Sequence, residues 1–91
     1  MRDKIAAILT QAFHPDKLEV HDESRLHAYH ADAIKSGGGH YSLLIVSDLF
    51  KRKNLVERHQ MIYNALGPQM KKDIHALAIK AYTTEEFINK T

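Results

Sequence analysis

The sequence predicts an α+β fold of order αββααβα, in which a small mixed three-stranded sheet is covered by helices. Residues 40–47 are rich in β-branched and aromatic side chains, and residues 17–22 and 74–82 alternate with the period of two that is typical of strands. Apolar residues recur at helical spacing before, between and after these strands. A helical crossover favours parallel pairing of the last two strands, whereas a loop between the first two favours antiparallel pairing.

The first half of the chain is predicted to hold one helix and two strands. Asp3 is expected to cap the helix and Pro15 to end it. Its apolar positions are Ile5, Ile8, Leu9, Ala12 and Phe13. Residues 23–39 have no sustained period and end in a glycine run, which predicts a long loop of the kind that often carries function. In the second strand, Tyr41, Leu43 and Ile45 share one face.

The second half is predicted to contain two consecutive helices, a strand and a final helix. Asn54 is expected to cap the first helix and Gly67 to close it, and Pro68 suits the start of the next. The first helix has an apolar face formed by Leu55, His59, Ile62, Tyr63 and Leu66. Thr83 and Glu86 fit a capping box. The final helix should turn Phe87 and Ile88 inward.

The third strand carries a histidine where it begins. Alternation places His75 on the same face as Leu77, Ile79 and Ala81, which should be the core face. The opposite face should carry Ile74, Ala76, Ala78, Lys80 and Tyr82. An imidazole at the first residues of a strand would be half-buried, which makes His75 a candidate ligand.

Composition limits the classes of function. Residues 1–91 suffice for one domain, and no apolar run approaches the roughly 20 residues of a membrane span, so a cytoplasmic protein is expected. The chain has no cysteine, which excludes disulfides and thiolate ligands of its own. It also lacks the serine elbow, zinc-protease and phosphate-loop motifs, so an enzyme is not expected. The net charge of +2 permits nucleic-acid binding without indicating it.

Seven histidines are the unusual feature of this short chain. His27, His30 and His40 belong to one loop and its exit, and they could converge with His75 in space to bind a metal. Spacing alone leaves a specific site and an adventitious or zinc site equally open. His59 is expected to be a hydrogen-bonded core residue, while His14 and His21 are expected at the surface.

A basic cluster is the second candidate site. It consists of Lys51, Arg52, Lys53, Arg58, Lys71 and Lys72. These residues fall on or beside the two consecutive helices, which resemble a helix-turn-helix pair, and they could contact a duplex DNA backbone. The alternative is a solvated face, since the second helix offers only Gln69 as an obvious base-reading side chain.

Four motifs stand in the order found in BolA-like proteins, and the chain is identified as a suspected member of that family. They are Leu18-Glu19-Val20-x-Asp22-Glu23-Ser24, Leu44-Ile45-Val46-Ser47-x-x-Phe50, Arg58-His59-x-x-Ile62-Tyr63 and His75-Ala76-Leu77-Ala78-Ile79. The resemblance covers nearly the whole chain. It implies a fold similar to the class II KH domain.

The resemblance also implies a partner and a cofactor. BolA-like proteins pair with monothiol glutaredoxins and share a [2Fe-2S] cluster with the glutaredoxin and glutathione, which supply thiolates while the BolA-like protein supplies imidazole. By this resemblance the chain is expected to be a monomer without cofactor when alone and a heterodimer with glutaredoxin. The family histidine before Ala-Leu-Ala-Ile falls on His75, and the loop histidine falls on His27, with His30 and His40 as alternatives.

The same family is associated with DNA binding, transcription regulation and the stress response through its helix-turn-helix-like half. That half includes Arg58, Lys71 and Lys72 in this chain. The Gly-x-x-Gly loop by which KH domains clamp nucleic acid is missing, because residues 65–68 are Ala-Leu-Gly-Pro. RNA clamping by that loop is therefore not expected.

Overall fold

A computed structural model describes residues 1–23, 39–72 and 74–90 of the protein. The described elements are α1 (Arg2–Phe13), β1 (Lys17–Asp22), β2 (Gly39–Val46), a 3-10 helix (Asp48–Phe50), α2 (Leu55–Leu66), α3 (Gln69–Lys72), β3 (Ile74–Tyr82) and α4 (Thr84–Asn89). The predicted α+β fold and its order αββααβα are confirmed over these residues. None of the helices described is long and apolar enough to cross a membrane.

The three strands form one sheet of order β1-β2-β3. β1 pairs antiparallel with β2, from Lys17 opposite Val46 to Asp22 opposite Tyr41. β2 pairs parallel with β3, and the crossover through α2 and α3 makes this pairing possible. The predicted mixed sheet is therefore correct in both pairings.

The core lies between the helices and one face of the sheet. Its helical side chains are Ile5, Leu9 and Phe13 of α1 and Ile62 and Leu66 of α2. They pack against Tyr41, Leu43 and Ile45, which share one face of β2 as their alternation predicts. Burying a side chain of this size stabilises the fold by about 1.5–3 kcal/mol. The opposite face of the sheet, called the outer face below, carries the alternate residues of each strand.

Local capping residues set most helix boundaries. The Asn54 side chain accepts a hydrogen bond from the backbone N–H of Glu57 at 2.8 Å, and the backbone N–H of Asn54 donates to the Glu57 carboxylate at 2.9 Å. Thr83 and Glu86 form the predicted capping box at the start of α4. Gly67 closes α2 with φ of 53°, in the region that favours glycine.

Three expectations about helix positions are wrong. Asp3 lies inside the first turn of α1, which begins after Met1 without a side-chain cap, and Ala12 is exposed. Ile88 is 65% exposed because α4 is only six residues long and packs through Phe87. A short terminal helix buries too narrow a face for two adjacent residues.

The predicted apolar face of α2 is also partly wrong. Leu55 is 65% exposed and Tyr63 is 39% exposed, whereas Ile62 and Leu66 are fully buried. The third buried residue of α2 is Arg58. The buried stripe therefore runs through Arg58, Ile62 and Leu66 at spacings of four residues.

Candidate functional site

His75 lies at an irregularity in the pairing of β3 with β2. Gly39 pairs with Ile74 and the next residue, His40, pairs with Ala76, so one residue of β3 is passed over between them. That residue is His75, and the irregularity is a β-bulge. A bulge inserts one extra residue into a strand and is over-represented beside functional sites.

The bulge corrects the predicted placement of Ile74. Simple alternation assigned Ile74 to the outer face, but Ile74 is 4% exposed and belongs to the core cluster. Beyond the bulge, Leu77, Ile79 and Ala81 pack on the core as predicted. The extra residue resets the alternation, so both Ile74 and Leu77 contribute to the core.

Of the three loop histidines that are candidate metal ligands, the structure describes His40. This residue lies beside the bulge. It is half-buried, with Nε2 inaccessible to solvent, and its backbone carbonyl accepts a hydrogen bond from the Glu23 amide at 2.7 Å. The Ser42 hydroxyl donates to Glu23 Oε1 at 2.9 Å, which ties the end of β1 to β2. Neighbouring strands lie about 4.8 Å apart, so the backbones of His40 and His75 are adjacent.

The side chains of the other candidate ligands are not among those that the structure describes. His27 and His30 lie outside the described residues, and for His75 only the backbone is described. The part of the chain that the structure describes contains no group of three His, Cys, Asp or Glu side chains able to hold a metal ion. With no cysteine in the chain, its donors to an iron-sulfur cluster would be imidazole nitrogens.

The remaining histidines have separate surroundings. His14 is exposed and ends α1 in the left-handed region with φ of 46°, and His21 is exposed with Nε2 3.3 Å from Glu19 Oε1, as surface positions predict. The ring of His59 is half-buried and meets Tyr63 edge-on at 6.5 Å. Of these three residues, His21 is the one in the sheet, where it lies opposite Ser42 of β2.

The basic cluster divides into an exposed part and a buried part. Lys51, Arg52 and Lys53 are exposed in the turn before α2, and Arg52 adopts a left-handed φ of 65°. Lys51 Nζ lies 3.8 Å from Asp48 Oδ2. The side chains of Lys71 and Lys72 lie outside the description.

Arg58 is instead an internal residue, 7% exposed. Its guanidinium donates to both carboxylate oxygens of Glu86, at 2.6 and 3.0 Å, and to the carbonyls of Lys53 and Ala81 at 2.8 and 3.1 Å. The Arg58 guanidinium and the backbone amide of Thr83 hold the pKa of Glu86 down at about 2. Arg58 therefore joins α2, β3 and α4 and does not face a nucleic-acid phosphate.

Sequence reasoning missed Glu86 as the partner of Arg58. The partners are 28 residues apart, so no local pattern links them. One feature of the sequence does indicate that Arg58 is buried. It lies four residues before Ile62, on the buried stripe of α2. A buried arginine requires an anionic or carbonyl partner, and a capping-box glutamate has its carboxylate held in place by the cap.

Comparison with known proteins decides the family. The model of the BolA-like protein family matches residues 9–86. The chain belongs to the BolA-like family. It is 42% identical over 87 residues to SufE-like protein 1, chloroplastic/mitochondrial, of Arabidopsis thaliana, covering 91% of this chain but only 24% of that protein. It is 37% identical over 87 residues to the DNA-binding transcriptional regulator BolA of Escherichia coli, covering 96% of this chain and 79% of the regulator.

Solved BolA-like structures share the fold. The BolA domain of SufE1 from Arabidopsis thaliana superposes with a TM-score of 0.81 at 40% identity, covering 93% of each chain. BolA1 from the same plant gives a TM-score of 0.81 at 31% identity, covering 94% of each chain. These BolA domains confirm the α+β architecture predicted from the sequence.

Proposed function

We propose that this BolA-like protein is a non-catalytic adaptor for iron-sulfur clusters, which pairs with a monothiol glutaredoxin and contributes histidine ligands to a shared [2Fe-2S] cluster. The observation that carries the proposal is the bulge at His75, whose backbone lies beside His40 at one end of the sheet. Two imidazoles from adjacent strands would complement thiolates from the glutaredoxin and glutathione in a cysteine-free chain.

The proposed ligands are His75 and one histidine from the β1–β2 connection. His27 is the member that matches the family motif, and His30 and His40 are its alternatives. The adjacency of His40 to the bulge supports its inclusion among them. When bound, the cluster supplies one-electron redox chemistry, with a potential raised by nitrogen ligation as in Rieske centres.

The residues around the bulge have the supporting role of holding the ligands in place. Glu23 and Ser42 fix the first residues of β2 to the end of β1 through two hydrogen bonds. Ile74 anchors β3 in the core directly before His75. Because His75 follows the buried Ile74 and lies next to β2, its backbone should keep its position when a partner approaches.

The test is a titration of a cluster-loaded monothiol glutaredoxin with this protein, followed by visible absorption and circular dichroism. A change of the cluster spectrum is expected with the intact chain and is expected to be lost with His75→Ala. Alanine variants of His27, His30 and His40 identify the second ligand, because only its loss should reproduce the His75→Ala result. His14→Asn is the matched control, since it removes an exposed imidazole at a position whose left-handed backbone asparagine tolerates. An unchanged cluster spectrum with the intact chain would refute the proposal.

A second candidate function is DNA-binding regulation. It is supported by the exposed triplet Lys51, Arg52 and Lys53 and by the similarity of the chain to the DNA-binding transcriptional regulator BolA of Escherichia coli. Arg58 is not part of this candidate surface, because Glu86 neutralises it.

Duplex DNA binding is best tested by fluorescence anisotropy at several salt concentrations. If all three cations contact phosphates, the triple glutamine variant of Lys51, Arg52 and Lys53 should reduce the salt slope of log K by about 2.7, at 0.9 per contact. The charge-matched control replaces three other exposed cations, Arg2, Lys4 and Lys17. Equal losses in the two variants would mean unspecific electrostatic attraction and would exclude the triplet as a DNA surface.

A further inference from the structure

The outer face of the sheet carries an open groove of about 500 Å³, whose lining includes Glu23 and Ser42 beside the proposed cluster ligands. We call it the outer groove. Its floor includes Leu44 and Ala78, and its sides include Glu19, Lys80 and the ring of Phe87. The helices that form the core cover the other side of the sheet, so this face is left to a ligand or to solvent.

The strand register gives the outer groove two oppositely charged sides. Glu19 pairs with Leu44, and Leu44 pairs with Lys80, so a carboxylate and an ammonium stand across one apolar residue. Glu23, directly after β1, adds a second carboxylate to the acidic side. Lys90, directly after α4, adds a second ammonium group to the basic side. Carboxylates therefore stand on the β1 side, with Lys17 beside Glu19, and ammonium groups stand on the β3 side.

Within the acidic side, Glu19 is held in its ionised form. Hydrogen bonds from His21 and Lys17 lower the pKa of Glu19, with Lys17 Nζ 3.3 Å from Glu19 Oε2. The hydroxyl of Ser42 donates to Glu23. Each carboxylate retains lone pairs for a further cationic donor, because an ionised carboxylate has about four acceptor positions.

An aromatic pair closes one end of the groove. The rings of Tyr82 and Phe87 lie 5.9 Å apart, with Lys90 Nζ 5.5 Å from the Tyr82 centroid and Lys17 Nζ 5.4 Å from the Phe87 centroid. Both aromatic residues are half-buried. This end offers an apolar surface rimmed by ammonium groups.

We propose that the outer groove binds a short extended peptide segment of a partner protein, in which basic and acidic side chains alternate and an apolar residue stands at an end. Successive side chains of an extended chain project to opposite sides. Alternating charges therefore direct every cation toward Glu19 and Glu23 and every carboxylate toward Lys80 and Lys90. The apolar end residue packs against Tyr82 and Phe87.

The groove matches such a segment in length. From Lys17 to Glu23 the outer face spans six residue steps of β1, or about 20 Å, which equals the length of a six-residue extended peptide. Nucleic acid is disfavoured, because the two carboxylates would face its phosphates. A second copy of this chain is disfavoured as well, since a face about 14 Å by 20 Å falls far below the roughly 800 Å² per partner of a stable interface.

The test uses an acetylated and amidated hexapeptide with phenylalanine at both ends and alternating lysine and glutamate between them. Its control has the same composition, with the two lysines and the two glutamates grouped in blocks. Titration into the isotopically labelled full chain should shift the amide resonances of Glu19, Leu44, Ala78 and Lys80. The block peptide should bind about tenfold more weakly, because each misplaced exposed charge costs up to about fivefold.

Two variants check the orientation of the charges. Glu19→Lys should weaken binding of the alternating peptide about tenfold, and addition of Lys80→Glu should recover part of that loss, because the peptide can then present its charges in the opposite direction. Both positions are exposed or half-exposed, and an unchanged amide spectrum elsewhere verifies the fold.

Several results would overturn the proposal. Equal affinity for the two peptides would remove the charge pattern as the basis of recognition. Resonance shifts confined to α2 and α3 would place the peptide elsewhere. Stronger binding of a single-stranded oligonucleotide on the same residues, or a concentration-dependent dimer through this face, would assign the groove to another occupant. None of these results bears on the cluster proposal, whose readout is the spectrum of the glutaredoxin-bound cluster.

Discussion

At the scale of single residues, Arg58 belongs to a basic cluster in the sequence but is held inside the fold. It was predicted to contact DNA because it belongs to a basic cluster. Its guanidinium instead has four short hydrogen bonds and lies 5.9 Å from the Phe50 ring centroid. A buried charge of this kind is tolerated only with its partners in place, so its effect on stability depends on Glu86.

Glu86→Gln should destabilise the protein by about 2 kcal/mol, because a neutral amide leaves the buried Arg58 guanidinium without its counter-charge. The carboxylate is 46% exposed, which keeps the expected loss below that of a fully buried pair. Urea unfolding followed by circular dichroism measures it. Glu85→Gln is the matched control on the exposed side of the same turn, and it should change stability by less than about 0.5 kcal/mol. Equal effects of the two variants would contradict the role given to Arg58.

The same ion pair predicts a pH dependence. The pKa of Glu86 is lowered from 4.5 to about 2 in the folded protein, first by the Arg58 hydrogen bond. A depressed carboxyl pKa stabilises the fold above pH 4.5, and this contribution is lost as pH falls toward 2. The melting temperatures of the wild type and Glu86→Gln should therefore differ most near pH 6 and converge toward pH 2. A difference that stays constant over this range would contradict the ion pair as its source.

At the scale of elements, β3 separates what local patterns can predict from what they cannot. The strand bounds, the capping boxes and the core positions Leu77, Ile79 and Ala81 follow from periodicity and cap chemistry. The bulge at His75 does not, because it depends on the pairing with Gly39 and His40. The same holds for the outer groove, whose charged sides exist only through the register of three strands.

The start of β2 is predicted to tolerate no side chain at Gly39. A Cβ atom there would lie less than 3 Å from two ring carbons and the hydroxyl oxygen of Tyr41, whose side chain is buried. Gly39→Ala should destabilise the fold by about 1–3 kcal/mol through overpacking. A double-mutant cycle with Tyr41→Ala checks the cause, because the alanine at position 39 should cost little once the ring is removed. Additive losses in the cycle would contradict the clash.

At the scale of the whole molecule, α4 closes the fold by contacting elements far away in sequence. Glu86 binds Arg58 of α2, and the Thr84 hydroxyl donates to Asp16 before β1. The Thr84 amide donates to Asp48 at 3.3 Å. A helix of six residues could not form alone. It is stable because its capping box and its first residues are bound to three separate parts of the chain.

Removal of α4 is therefore predicted to destabilise the whole domain, because the buried charge of Arg58 loses its counter-charge. A chain ending at Tyr82 loses Glu86 and leaves the Arg58 guanidinium with carbonyl partners only, which should cost about 3 kcal/mol or more. Arg58→Met in this shortened chain should recover part of the loss, because an apolar side chain of similar length needs no counter-charge. Thermal unfolding of four proteins, with and without α4 and with either residue at position 58, measures the coupling. If Arg58→Met lowers the melting temperature equally in the full and shortened chains, the charge of Arg58 is not what couples α4 to the core.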